Sequence, residues 1–217
     1  MSFSRPKTQE ELEKREAIGV IRASGFVRDY ARSHEPIMVE TICEIHNHIF
    51  AQAIPEIAGQ YRTEDIVIKD SSYIPPHHWL VRELMHTFGE EIQEKIQSIG
   101  PIEGRLMSTD EPDDEVLSGI ENTVHMAAWI HHKVTWIHPF INGNGRTARL
   151  SANLILERCG LIGISVKIEK ENKNRYRQAL SQIDQRWDYE PLMDLLFEGI
   201  FDRYEGIPMK YYDFKKG

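Results

Sequence analysis

The run WIHPFINGNGRTARL, from Trp136 to Leu150, brings together the residue types that phosphate chemistry needs. Gly143 and Gly145 allow positive φ and leave no Cβ in the way, so successive backbone N–H groups can converge on an anion. A helix expected to begin near Arg146 adds its unsatisfied N–H groups and the positive end of its dipole. Arg146 and Arg149 are three residues apart, so they share one face of that first turn and can reach neighbouring phosphates. His138 leads the loop, and a neutral imidazole accepts a hydroxyl proton near neutral pH. Pro139 stiffens the turn and Phe140 anchors it in a core. Asn144 is expected to brace it through side-chain to backbone hydrogen bonds.

The elements that must carry this loop read as mostly helical. Thr8 and Glu11 form a capping-box pattern for a polar helix running towards Tyr30. Pro36 suits a helix's first turn, and Val39, Ile42, His46, Ile49, Phe50 and Ala53 then recur at helical spacing until Pro55. The β-branched run Asp65 to Ile68, with Tyr73-Ile74 after Lys69-Asp70-Ser71-Ser72, predicts a small β-hairpin ended by Pro75-Pro76. Leu80, Leu84, Phe88, Ile92 and Ile96 keep an i, i+4 stripe up to Gly100. After a polar stretch whose acidic end suits a solvated helix start, Ile120, Val124, Ala127, Val134 and Ile137 mark a helix leading straight into the loop. Ala148, Ala152, Ile155 and Cys159 continue beyond it to Gly160. Two more helices are expected over Asn172 to Ile183 and Pro191 to Tyr204. The fold class is therefore mainly α, one domain carrying one hairpin.

Composition narrows the function. The chain has 217 residues and a net charge of -8, which argues against a sequence-independent grip on nucleic acid. No apolar run approaches the ~20 residues needed to cross a membrane, and the N-terminus has no apolar signal region. Cys43 and Cys159 lie far apart without a C-x-x-C, so unpaired thiols in the cytoplasm are expected. His77-His78 and His131-His132 are adjacent pairs and His46 and His48 are two apart, so no pair shares a helix face at metal-ligand spacing. Gly143 to Ala148 also fits G-x-G-x-x-A, but a helix precedes it and no βαβ unit surrounds it.

Taken whole, the string closely resembles the H-P-F-x-[DE]-G-N-G-R-x-x-[RK] signature of the Fic (Fido) family, through His138, Pro139, Phe140, Gly143, Asn144, Gly145, Arg146 and Arg149. The run ICEIHNHIFAQAIPEIAGQYR is similar to the family's early helix and its A-G-Q-x-R segment. Ile66 to Pro76 falls where the family has a β-hairpin flap, and Tyr176 to Leu192 where it has closing helices. The resemblance covers roughly 36–204, leaving 1–35 as an N-terminal helical extension and 205–217 as a tail.

What the resemblance implies is a protein adenylyltransferase that moves AMP from ATP onto a Ser, Thr or Tyr hydroxyl of a protein substrate. His138 would be the general base. Gly143, Asn144, Gly145 and Arg146 would hold the phosphates, and Arg149 the terminal one. Lys69, Asp70, Ser71, Ser72 and Tyr73 would form the flap that pairs with the target as an added strand. Tyr176 is a candidate for the adenine pocket. The family's usual loop acid, which helps hold Mg²⁺, is Asn142 here; an amide oxygen ligates without formal charge, so a weaker metal site is expected. The family's inhibitory pattern [ST]-x-x-x-E-[GN], whose Glu pairs with the second arginine, has no match. Ser165…Glu169 and Thr87…Glu91 miss its last residue. Inhibition would then come from a separate antitoxin chain, from the acidic N-terminal helix, or not at all. Two alternatives remain beside transfer from ATP: a nucleotide-binding interaction module, and an enzyme that uses another phosphate-containing donor or removes AMP.

Overall fold

The structure is a computed structural model that describes residues 5–69, 71, 73–99, 113–164 and 170–204. Asp70, Ser72, Ser165, Glu169, the polar stretch before Asp113 and the tail lie outside the described residues.

The first helix, α1 (Gln9–Ser33), starts where Thr8 predicts: its hydroxyl accepts the Glu11 N–H at 3.1 Å. Glu11 does not close the capping box on Thr8; its carboxylate takes the Lys7 N–H and Arg15. α2 (Val39–Phe50) begins after Pro36, which lies outside the helix, contrary to expectation. The Thr41 hydroxyl accepts the Met38 N–H and holds this start instead. A 3₁₀ turn (His78–Leu80) leads into α3 (Val81–Ser98). α4 (Asp114–Ile137) is capped by Asp113, whose carboxylate accepts the Val116 N–H at 2.8 Å, as its acidic start suggests. α5 (Asn144–Arg158), α6 (Lys170–Arg186) and α7 (Glu190–Tyr204) follow.

From Thr123 onward α4 is buried almost all round, and this makes it the central element. It packs on α5, α3 and α7, while α1 lies across α2 and α5. Gly19 permits that crossing, since a Cβ there would collide with the Ile49 carbonyl of α2. Ile42, Ile45, Ile49 and Phe50 of α2, Met85 and Phe88 of α3, and Leu154 and Leu156 of α5 close the core around it.

Among the described residues there is no β-strand, so the predicted hairpin is seen only as a turn. The Ser71 N–H donates to the Ile68 carbonyl at 3.2 Å. Among them, too, no helix is long and apolar enough to cross a membrane.

Candidate functional site

α4 ends at Ile137, and His138 caps it in the left-handed conformation (φ 51°, ψ 57°). That conformation costs a non-glycine residue roughly 1–2 kcal/mol and needs local compensation. Three bonds supply it. The His138 N–H donates to the Val134 carbonyl at 3.0 Å, its carbonyl accepts from Arg62 Nε at 2.8 Å, and its ring Nδ1 meets the Thr135 carbonyl at 2.9 Å. A carbonyl only accepts, so Nδ1 carries the ring proton and Nε2 is left as the acceptor. Burial, outweighing the Thr135 carbonyl, pushes the imidazole below its ordinary range, so it is neutral at pH 7.

The turn that follows is held from inside and outside. Asn144 is buried; its Oδ1 accepts the Phe140 N–H at 2.9 Å and its Nδ2 donates to the Phe140 carbonyl at 2.7 Å. The bracing expected of it is therefore present, and only its backbone is left for an anion. Gly143 caps α5 at φ 80°, where a Cβ would also strike the Phe50 ring. Gly145, by contrast, is helical, because α5 begins at Asn144 and not near Arg146. Its missing side chain instead leaves room beside the Arg149 guanidinium.

Sequence reasoning passed over the residue that grips this loop from outside. His46, fully buried on α2, stacks on Phe140 with ring centroids 3.9 Å apart. Its Nδ1 accepts the Gly59 N–H at 2.9 Å, which leaves Nε2 to donate to the Asn142 carbonyl at 3.0 Å. Burial holds its pKa down to about 4, so the pair stays neutral. The signal was there: a histidine at a core position of an apolar helical stripe has to be satisfied by something.

The two arginines are placed differently. Arg149 is partly buried, and its guanidinium hydrogen-bonds the Tyr176 hydroxyl. That hydroxyl also meets His131 Nε2 at 3.2 Å. Arg146 lies over the Phe50 ring and pairs with Glu16 of α1, Nη1 to Oε2, at 2.7 Å. The absent inhibitory pattern thus did not exclude a glutamate on the arginines. Glu16 sits in L-E-K-R-E-A, whose Leu12 and Ala17 break the pattern, and it reaches the first arginine instead of the second. Glu91, from one of the near misses, is engaged by Lys133 at 2.6 Å.

Two cavities join at His138. One of about 520 Å³ is lined by the loop from Ile141 to Arg146, by Arg149, and by Ile66 to Lys69. The other, about 620 Å³ and more apolar, is lined by Tyr176, Leu180, Trp136, Tyr73, His132 and Asp184, among others. Ile68, His138 and Gly145 belong to both, so a polar, cationic chamber and a base-sized chamber meet at one imidazole. Tyr73 does not present its hydroxyl to a partner, because it donates to the Trp136 carbonyl at 2.8 Å.

A resident magnesium site does not fit these residues. The polar chamber has no carboxylate in its described lining, and the Asn142 amide oxygen already accepts the Gly143 N–H at 2.7 Å.

The Fic/DOC family model matches residues 36–156. The chain belongs to the Fic/DOC family. It is 31% identical over 172 residues to a protein adenylyltransferase Fic of Nematostella vectensis, covering 79% of this chain and 34% of that protein. Against protein adenylyltransferase fic-1 of Caenorhabditis elegans the identity is 29%, over 72% of this chain and 27% of the relative. The chain thus spans about a third of the length of these curated relatives. The solved C. elegans Fic-1 fragment superposes with a TM-score of 0.66 at 24% identity, covering 92% of this chain and 52% of that one. The Bartonella tribocorum BepC protein with bound AMPPNP gives 0.60 at 18%, covering 89% and 88%. These likenesses are to the fold.

Proposed function

We propose that this chain is a protein adenylyltransferase that transfers AMP from MgATP to a hydroxyl of a protein substrate. The observation that carries the reading is the state of His138. Its Nε2 is unprotonated at the junction of a cationic chamber and a base-sized chamber. The relatives' names supply the reaction class.

The target hydroxyl oxygen attacks the α-phosphorus as its proton passes to His138 Nε2. A new P–O bond forms, the bond from the α-phosphorus to the bridging oxygen breaks, and pyrophosphate leaves. The backbone N–H groups of Asn144 and Gly145 and the Arg146 and Arg149 cations stabilise charge that is spread over phosphate oxygens. Magnesium arrives with the nucleotide, on its phosphates and water. The adenine enters the chamber lined by Tyr176, whose ring forms a wall while its hydroxyl holds Arg149. Ile66 to Pro76 is the flap that receives an extended target segment by β-addition, completing the hairpin only when the target is bound. The transferase unit is 36–204, with 1–35 its extension.

Glu16 restrains this site from within. While it pairs with Arg146, a phosphate must displace it, so α1 supplies inhibition without an antitoxin chain.

The test is incubation of the purified protein with a cell lysate, Mg²⁺ and ATP labelled on either the α or the γ phosphate. Label on protein from the α position alone supports adenylyl transfer. ATP binding without label on any protein contradicts it and favours the interaction module; label from the γ position contradicts the assigned bond.

A further inference from the structure

Arg62 has a completely buried side chain, yet among the described residues the one carboxylate paired with it, Asp65, stands 3.6 Å from Nη1. A buried guanidinium needs partners for its N–H donors, and here its three nitrogens each donate to a backbone carbonyl. Nε donates to His138 at 2.8 Å, Nη1 to Glu64 at 3.1 Å, and Nη2 to Pro76. The backbone N–H of Arg62 donates to the Pro139 carbonyl at 2.8 Å. Two successive carbonyls at the head of the loop are thus tied to one residue.

The other end of the fork is equally specific. Glu64 and Pro76 flank the segment from Asp65 to Pro75, so one guanidinium touches both its entrance and its exit. Asp65 closes the same neck, accepting the His78 N–H at 2.7 Å and meeting His77 Nδ1 at 2.7 Å and His78 Nδ1 at 3.1 Å. Between these ends, the side chains of Val67 and Ile74 are almost fully exposed.

We propose that Arg62 is a positioning residue: its fork holds His138 in its left-handed conformation and fixes the neck of the flap to the same backbone, so that Nε2 and the docked target segment stay in register. The inference rests on His138 being the base and on the flap receiving the target. A lysine keeps the charge but lacks the planar fork, so it cannot serve the three carbonyls in this arrangement. The Arg62 charge, after burial, also contributes to the lowered pKa of His138.

The experiment reads the His138 ring directly, without nucleotide, by long-range ¹H–¹⁵N NMR of histidine-labelled protein. His138→Gln identifies the resonance, and wild type, Arg62→Lys and Arg62→Met are compared. Wild type should show the single Nδ1–H tautomer. Both variants should show a mixture of tautomers, and in Arg62→Met the titration midpoint should rise. Transfer kcat should fall roughly 10²-fold, the cost of about an ångström of misplacement, with ATP affinity within a few-fold. A His138 spectrum superimposable on wild type in either folded variant would overturn the proposal, as would a loss confined to ATP affinity. Should Arg62→Met not fold, Arg62→Lys decides alone. A changed spectrum in a protein that transfers nothing even as wild type would leave the positioning role standing and reject the adenylyltransferase reading.

Discussion

The loop from His138 to Arg149 and the segment from Ile66 to Pro76 face each other across one groove, and they are held in opposite ways. In the loop four polar side chains are spent on backbone. Asn144 closes on Phe140, Asn142 on Gly143, Thr147 on the Gly143 carbonyl and the His138 ring on Thr135. His46 adds a bond from a different helix. The facing segment is fastened at its neck by Arg62 and Asp65 and along its length by Tyr73 on Trp136, while Val67 is 93% exposed. Reaction geometry tolerates little displacement, whereas recognition of an extended chain benefits from adjustable backbone. In the proposed reaction the two halves of the groove would divide these tasks between them.

The largest effect should come from the rigid side. His138→Ala removes the proposed base but none of the proposed phosphate contacts, so transfer should fall by ~10²–10⁴ while ATP affinity stays within a few-fold. Calorimetry alongside the labelling rate checks both halves, and parallel losses would mean the imidazole also binds nucleotide.

Next comes Gly143→Ala, which forces a Cβ into a φ of 80° and against the Phe50 ring. The expected loss is roughly 2–4 kcal/mol of stability by urea denaturation, from left-handed strain plus overpacking. A variant as stable as wild type would show that the loop is less determined than its hydrogen bonds suggest.

Smaller is the effect of Glu16→Gln. It weakens the pair on Arg146, worth roughly 0.5–1.5 kcal/mol at this exposure, so ATP should bind about three- to tenfold tighter. Unchanged or weaker binding would remove α1 as an internal restraint.

The smallest change is expected on the permissive side. Val67→Ser should leave stability within about 0.5 kcal/mol, since the side chain packs on almost nothing. Its effect should appear as a raised KM for the protein target with ATP affinity unchanged. A large drop in melting temperature would show that the segment is packed like the loop.

This division also decides what could be read from the chain beforehand. The helices were legible because their apolar spacing is local: Ile120 to Ile137 leads into the loop as expected, and Thr8 caps α1. Pro36 misled, because a proline two or three residues before a helix looks the same as one in its first turn. The loop residues were legible as types, since glycine, arginine and histidine each carry their chemistry with them. Their placement was not. Arg62 meets a residue 76 positions on, His46 one 96 positions on, and Glu16 an arginine 130 positions away. Nothing periodic or local announces such contacts. Gly145 shows the converse limit: glycine permits positive φ but does not demand it, and the helix simply started earlier.

In the proposed reaction a neutral His138, at the head of the loop, takes the hydroxyl proton. The measurement closest to it is the pH dependence of kcat for transfer from α-labelled ATP, in wild type and in Arg62→Lys. His138 lies below the ordinary histidine range, so its base form dominates at pH 7 and is lost only as pH falls through that lowered value. The account predicts a rate that is flat from about pH 7 to 8, with one acid limb whose midpoint lies below the ordinary histidine value of about 6.5 and moves in the positioning variant. A rate still climbing through pH 8, or an acid limb retained unchanged by His138→Ala, would contradict it.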